Sequence, residues 1–160
     1  MKTAPRFTET PPRNLFHGTN NGDAVVQTGI GPSISKKGSG LVVPWLSPSS
    51  MVAARYARSF AKFGGGRAEV LMYHYPECTL ADLRGYRHGN LWTVFGLDVL
   101  KDPDGVVAAY LERGWHIQEV LIEQGFDGVV TDSTLGDGIP EFGFFNPTYL
   151  ELIGRITLRS

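Results

Sequence analysis

The chain has one cysteine, Cys78, among 160 residues. No internal disulfide can form and no cysteine-based zinc ribbon can assemble, so a disulfide-stapled secreted scaffold is excluded and no metal is implied. One free thiol suits a reducing compartment. A nucleophilic Cys78 would need a positioned base, and the sequence offers none. Long apolar runs are also missing: nothing approaches the roughly 18 residues of a membrane-spanning helix. The opening stretch MKTAPRFTETPPRN has no apolar segment of the kind a secretory signal carries. Pro5, Pro11 and Pro12 stand there among polar residues, which predicts a flexible, loosely held arm over residues 1–12. Finally, there is no excess of positive charge. Fifteen basic residues face sixteen acidic ones, for a net charge of -1. General nucleic-acid binding is therefore not favoured. The local pair Lys36 and Lys37 reads as part of a solvated loop.

Glycine, by contrast, is abundant, with 20 residues clustered between apolar runs. That is the punctuation of many short strands and loops. The length suits a single domain, residues 13–160, with room for a real core. Strands are expected around Asn14 to His17, in LVVPWLS up to Ser47, in AEVLMYHY closed by Pro76, in FDGVV, in EFGFFN and in TYLELIGRITL. Pro44 argues for an edge or a bend in the second of these. The strongest helix signal is SPSSMVAARYARSFAKFGGG. Ser47 is its expected N-cap and Pro48 its first residue, with Val52, Tyr56, Phe60 and Phe63 on one face beside Ala53 and Ala57. The run Gly64 to Gly66 ends it. PDGVVAAYLERG and WHIQEVLIEQG predict two shorter helices, closed by Gly114 and Gly125. Asn20, Asn21 and Gly22 are expected only to turn the chain, and TDSTLGDGIP is a loop. The order predicts an α+β fold with largely antiparallel sheets packed together.

Three features carry chemistry when taken together. His17 ends a strand and is followed by Gly18 and Thr19. Tyr56 lies on the helix, eleven residues after Trp45. Glu141 opens a strand just after a glycine-rich loop. Singly, each has an ordinary structural role: a turn residue, a core aromatic, an exposed carboxylate.

In combination, LFHGT (15–19), WLSPSSMVAARYA (45–57) and PEFGFFNP (140–147) resemble the ADP-ribosyltransferase superfamily. The branch resembled has a His-Tyr-Glu triad and includes diphtheria toxin and the poly(ADP-ribose) polymerases. The resemblance covers roughly residues 13–158. It implies a split β-sandwich of two mainly antiparallel sheets with helices inserted and a cleft that binds NAD+ as co-substrate. It also implies a mono-ADP-ribosyltransferase that cleaves the nicotinamide–ribose bond and passes ADP-ribose to a macromolecular acceptor, most readily a protein. Small transferases of this kind often act as toxins or injected effectors, so the expected location is the cytoplasm or the interior of a target cell.

Such a reaction must hold a flat ring, hold the ribose and stabilise a developing cation. By resemblance, Tyr56 and Trp45 supply aromatic faces for nicotinamide, although the toxin branch usually carries tyrosine where Trp45 stands. Gly18, lacking a Cβ, lets its backbone approach the carboxamide, so Gly18→Val is expected to block the cofactor with little harm to the fold. His17 would bond the adenosine ribose and Thr19 would support that corner. Ser47 either bonds the carboxamide or caps the helix, and the cap is preferred. Glu141 is the expected catalytic carboxylate. Arginine-modifying relatives place a second Glu or Gln where Ile139 stands, which argues against arginine as acceptor. Asp132 and Asp137 make the loop before Glu141 acidic, and that loop is where the resemblance puts acceptor recognition. Three other readings stay open at this point. They are NAD+ hydrolysis with water as acceptor, an RNA 2′-phosphotransferase using Arg13, Arg55 and Arg58, and a non-catalytic NAD+ or ADP-ribose-binding module.

Overall fold

The computed structural model describes residues 1–10, 12–31, 40–74, 77–98, 100–101, 105–112, 115–133 and 135–159. Strands β1 (Asn14–Thr19), β2 (Trp45–Leu46), β3 (Glu69–His74), β4 (Leu80–Asp82), β5 (Gly128–Thr131), β6 (Glu141–Phe144) and β7 (Glu151–Thr157) form two sheets. The helices are α1 (Gly22–Thr28), α2 (Ser50–Gly64), α3 (Val106–Glu112) and α4 (Ile117–Glu123), with 3₁₀ segments at His88–Phe95, between β4 and α3, and at Pro147–Tyr149, between β6 and β7. One sheet has the order β1-β3-β7 and the other β2-β6-β5-β4. Among the described residues every strand pairing is antiparallel except β4 with β5. The protein thus has the α+β fold of two mainly antiparallel sheets that the sequence predicts. No helix among the described residues is long and apolar enough to cross a membrane.

Strand alternation explains the core. Leu15, Leu71 and Tyr73 of the first sheet meet Leu46, Leu80, Val130, Phe142 and Phe144 of the second. The intervening residues Ala81 and Val129 point away and pack with the 3₁₀ segment around Trp92 and Phe95 and with Ile117, Val120 and Leu121 of α4. The four-stranded sheet is therefore covered on both faces, which is why all four residues of β5, Gly128–Thr131, are buried.

The structure differs from the sequence expectations in several places. Asn21 and Gly22 do more than turn the chain: Asn21 caps α1, its Oδ1 accepting the Ala24 amide at 3.4 Å. LVVPWLS contributes only Trp45–Leu46 to a regular strand, because Pro44 supplies no amide to a ladder. The N-cap of α2 is Ser49, whose hydroxyl accepts the Val52 amide, so Ser47 and Pro48 precede the helix. The buried stripe of α2 is Val52, Ala53 and Ala57, while Phe60 is 46% and Phe63 81% exposed. Lys36 and Lys37, Tyr75, Pro76, Gly114 and Thr134 lie outside the described residues.

The N-terminal segment, expected as a loosely held arm, lies along β4. The Phe7 amide donates to the Leu80 carbonyl and the Asp82 amide to the Pro5 carbonyl, both at 2.8 Å. Ala4 is buried among the core residues near Phe95, and Phe7 meets Phe142 edge-on. The segment extends the sheet past β4 and covers its open edge, a liability in any sheet.

Candidate active site

Strands β1 and β2 are the edges of their respective sheets, and the two sheets join there. Phe16 and Ser47 exchange both backbone hydrogen bonds, at 2.7 and 2.8 Å. Immediately beside this bridge a cleft of about 140 Å³ opens. Its walls come from β1 (Phe16, His17, Gly18), the β2 segment (Trp45, Leu46, Ser47), α2 (Ala53, Tyr56, Phe60) and β6 (Glu141). Six of the seven residues singled out in the sequence line this one cleft. The seventh, Thr19, does not. Its hydroxyl accepts the Asn21 amide at 3.1 Å and closes the turn into α1.

Tyr56 and Glu141 meet directly. The tyrosine hydroxyl donates to Glu141 Oε1 at 3.0 Å. Glu141 is the first residue of β6 and only 4% exposed. A buried carboxylate is costly unless hydrogen-bonded, and the phenol offers such a bond at the cleft wall. Phe60, one turn further along α2, stacks on Tyr56 with centroids 6.2 Å apart and planes at 24°. Two rings thus extend the aromatic wall from the carboxylate to the mouth.

His17 is fixed by its neighbour across the seam. Its Nδ1 lies 3.1 Å from the Trp45 carbonyl oxygen, which can only accept. Nδ1 therefore carries the proton, and Nε2 is left as an acceptor in the neutral ring. Burial pushes the imidazole below its ordinary value of 6.5, against the smaller opposing effect of the carbonyl. His17 is thus neutral near pH 7, an acceptor suited to a hydroxyl donor.

Trp45 lies opposite Gly143 in the β2–β6 pair. A Cβ on Gly143 would stand 3.2 Å from the indole Cζ3 and crowd Val43. Gly143 therefore lets the indole lie close to the sheet, a supporting role the sequence reading missed. Phe16, Leu46, Ala53 and Phe60 were also not anticipated as cleft residues. The helical spacing of Phe60 from Tyr56 was the available signal, but it was read as a core stripe.

Gly18 is placed in the cleft, but for a different reason than expected. A Cβ there would collide with the Ala53 carbonyl oxygen and stand 2.8 Å from the Ala57 amide nitrogen, both backbone atoms of α2. The missing side chain is what allows α2 to approach β1, with Ala53 and Ala57 as the small helix residues at the contact. Gly18→Val is thus corrected to a fold-breaking change. Ser47 is buried, and its Oγ accepts the Ser49 amide at 3.1 Å, bracing the turn into α2 without capping it.

Around the site, Glu69 accepts from Arg155 Nε at 2.8 Å, from the Gly22 amide at 3.1 Å and from Thr157 at 3.3 Å. Arg155 also holds Asp23. This cluster pins the start of α1 to β3 and β7, directly after β1, which carries His17 and Gly18. In the loop before Glu141, Asp132 accepts the Gly85 amide at 2.6 Å and Asp137 the Ile139 amide at 3.0 Å. Both carboxylates hold loop geometry. Arg55 and Arg58 line a different groove, away from the cleft, and Arg13 is exposed. No arginine or lysine stands among the described cleft residues.

No protein-family model matches the sequence, and no curated protein matches it. Among solved structures, the chain is similar to one in the crystal structure of the M. tuberculosis MbcT–MbcA toxin–antitoxin complex. The identity is 14% and the TM-score 0.48, over 97% of this chain and 86% of that one.

Proposed function

We propose that the chain is an NAD+-dependent mono-ADP-ribosyltransferase. The observation that carries this reading is the 3.0 Å Tyr56–Glu141 hydrogen bond inside an aromatic cleft closed on its other side by His17 and Trp45. The resemblance of the three motifs to the His-Tyr-Glu branch is supported by their convergence from β1, α2 and β6, segments far apart in the chain.

In this reading Trp45, Tyr56 and Phe60 provide flat faces for the nicotinamide ring, each stacked contact contributing about 0.5–1.5 kcal/mol beyond burial. His17 Nε2 accepts from a ribose hydroxyl. The bond between nicotinamide nitrogen and the ribose anomeric carbon breaks, its electron pair leaving with neutral nicotinamide. The Glu141 carboxylate stabilises the positive charge that builds on the ribose. An acceptor nucleophile then bonds to the anomeric carbon and releases its proton, with Glu141 as the nearest base in the cleft. The lack of described arginines around the cleft weighs against the RNA 2′-phosphotransferase reading, and a module that only binds would not need a buried carboxylate held at the site.

The test is incubation with NAD+ labelled in the adenylate half, in a cell lysate, with nicotinamide release measured in parallel. The expected result is label on protein, absent with Glu141→Gln. Label found only in free ADP-ribose would assign water as the acceptor. No nicotinamide release would end the proposal.

A further inference from the structure

α2 packs on β1 and β3, and β7 beside them is exposed along most of its length. The result is a groove on the side of α2 turned away from the cleft. Its floor is apolar: Met51 and Ala54 of α2, Val70 of β3, then Ile156 and Leu158. Met51 is 78% and Ile156 52% exposed, unusual for large apolar residues placed side by side. The groove continues along α2 into a second one that shares Arg58 and Leu158 with it.

The rim is of one charge. Arg55, Arg58, Lys62, Arg67 and Arg159 line this continuous channel, and among the described residues no carboxylate side chain does. None of the five has an ion-pair partner among the described residues, where the ion pairs use Arg84, Lys101 and Arg155. A chain of net charge -1 with fifteen basic residues has gathered five of them here. Residues 55, 58 and 62 recur at helical spacing, so α2 carries a basic stripe opposite its cleft face.

We propose that this channel docks an amphipathic helix of a protein partner, with an apolar stripe flanked by Asp and Glu. The vacant position is that of a helix lying beside α2 on the same sheet, where layer packing would cover β7. The apolar stripe would meet Met51, Ile156 and Leu158, and the acidic flanks would meet the arginines, the helix-in-groove mode of recognition. A nucleic acid fits less well: its backbone would use the cations, but among the described residues no aromatic side chain lines the channel for base stacking, and the apolar floor would have no partner. The proposal is independent of the chemistry in the cleft.

The test is fluorescence anisotropy of the full chain with a labelled synthetic peptide of about three heptads, leucine at a and d and glutamate on the flanks. A lysine-flanked version and an oligothymidylate serve as comparisons. The glutamate peptide should bind saturably and weaken as salt is raised. Binding should fall at least about tenfold, or roughly 1.4 kcal/mol, in Arg55→Glu/Arg58→Glu and also in Ile156→Glu, with circular dichroism showing each variant folded. The proposal is overturned by any of four results: no saturable binding of the glutamate peptide, equal binding of the lysine peptide, no effect of Ile156→Glu, or tighter binding of the oligothymidylate that the arginine reversals abolish.

Discussion

The Tyr56 hydroxyl of α2 donates a 3.0 Å hydrogen bond to the Glu141 carboxylate of β6. One bond thus ties a helix on the first sheet to a strand of the second, across the cleft. Glu141→Gln keeps an oxygen that can accept this bond but removes the charge. Turnover of NAD+ should fall by about 10² or more, with the dissociation constant for NAD+ changed less than about threefold. Tyr56→Phe, which keeps the ring, should cost less than Glu141→Gln. Single-turnover kinetics with separate binding titrations check both, and wild-type turnover in Glu141→Gln would remove the catalytic assignment.

Gly18→Ala should destabilise the whole fold. Overpacking typically costs 1–3 kcal/mol, and here the obstructing atoms are the backbone of α2, so about 3 kcal/mol or more is expected. For a chain of this size that lowers the melting temperature by about 6 °C or more. Calorimetry gives the answer. A fully stable variant would mean that α2 can shift away from β1 without cost.

Phe60→Ala separates stacking from stability. The ring is nearly half exposed and packs on Tyr56 at the cleft mouth. KM for NAD+ should rise about two- to tenfold, the equivalent of a 0.5–1.5 kcal/mol aromatic contact. The melting temperature should move by less than about 2 °C, since an exposed side chain carries little of the core. An unchanged KM would place the ligand elsewhere on the wall.

Two groups give stability the same dependence on proton binding, in different pH ranges. Burial holds His17 below its ordinary 6.5, so the unfolded chain takes up the proton first. Its contribution is complete above pH 6.5 and is lost as pH falls below that value. Glu69 is held below its ordinary 4.5, chiefly by the Arg155 hydrogen bond and against its burial. Its contribution is present above pH 4.5 and is lost as pH drops through the folded-state value. Urea unfolding across pH 3 to 8 should show a first decline below about 6.5 that His17→Gln removes, and a second below about 4.5 that Glu69→Gln removes. A first decline that persists in His17→Gln would assign it to another group.

Much of this architecture was legible in the sequence because the signals are local. Serines and a proline before an amphipathic run, and three glycines after it, locate α2. Short apolar clusters, Val129–Val130 and Phe142 to Phe145, locate β5 and β6. The cap of α2 was not legible: Ser47 and Ser49 both flank Pro48, and only backbone geometry selects Ser49. Helix α1 was missed because it has seven residues and opens on the turn-like pair Asn20–Asn21. The meeting of Tyr56 with Glu141 is a contact across 85 residues, which periodicity cannot show; the motif resemblance suggested it. Gly18 is the clearest lesson of this kind. A sequence shows that a side chain is missing, but not the direction in which it would have pointed.

That direction also guards the cleft against misassembly. His17 and Gly18 are neighbours on β1 and so face opposite sides of the sheet. A pairing slip of one residue between β1 and β3 would turn the imidazole toward α2, where a single methyl group already has no room. The slipped strand would lose its helix along with its histidine. The close approach of α2 thus acts as a proofreading device for β1: a chain that can seat this helix has the imidazole on the correct side.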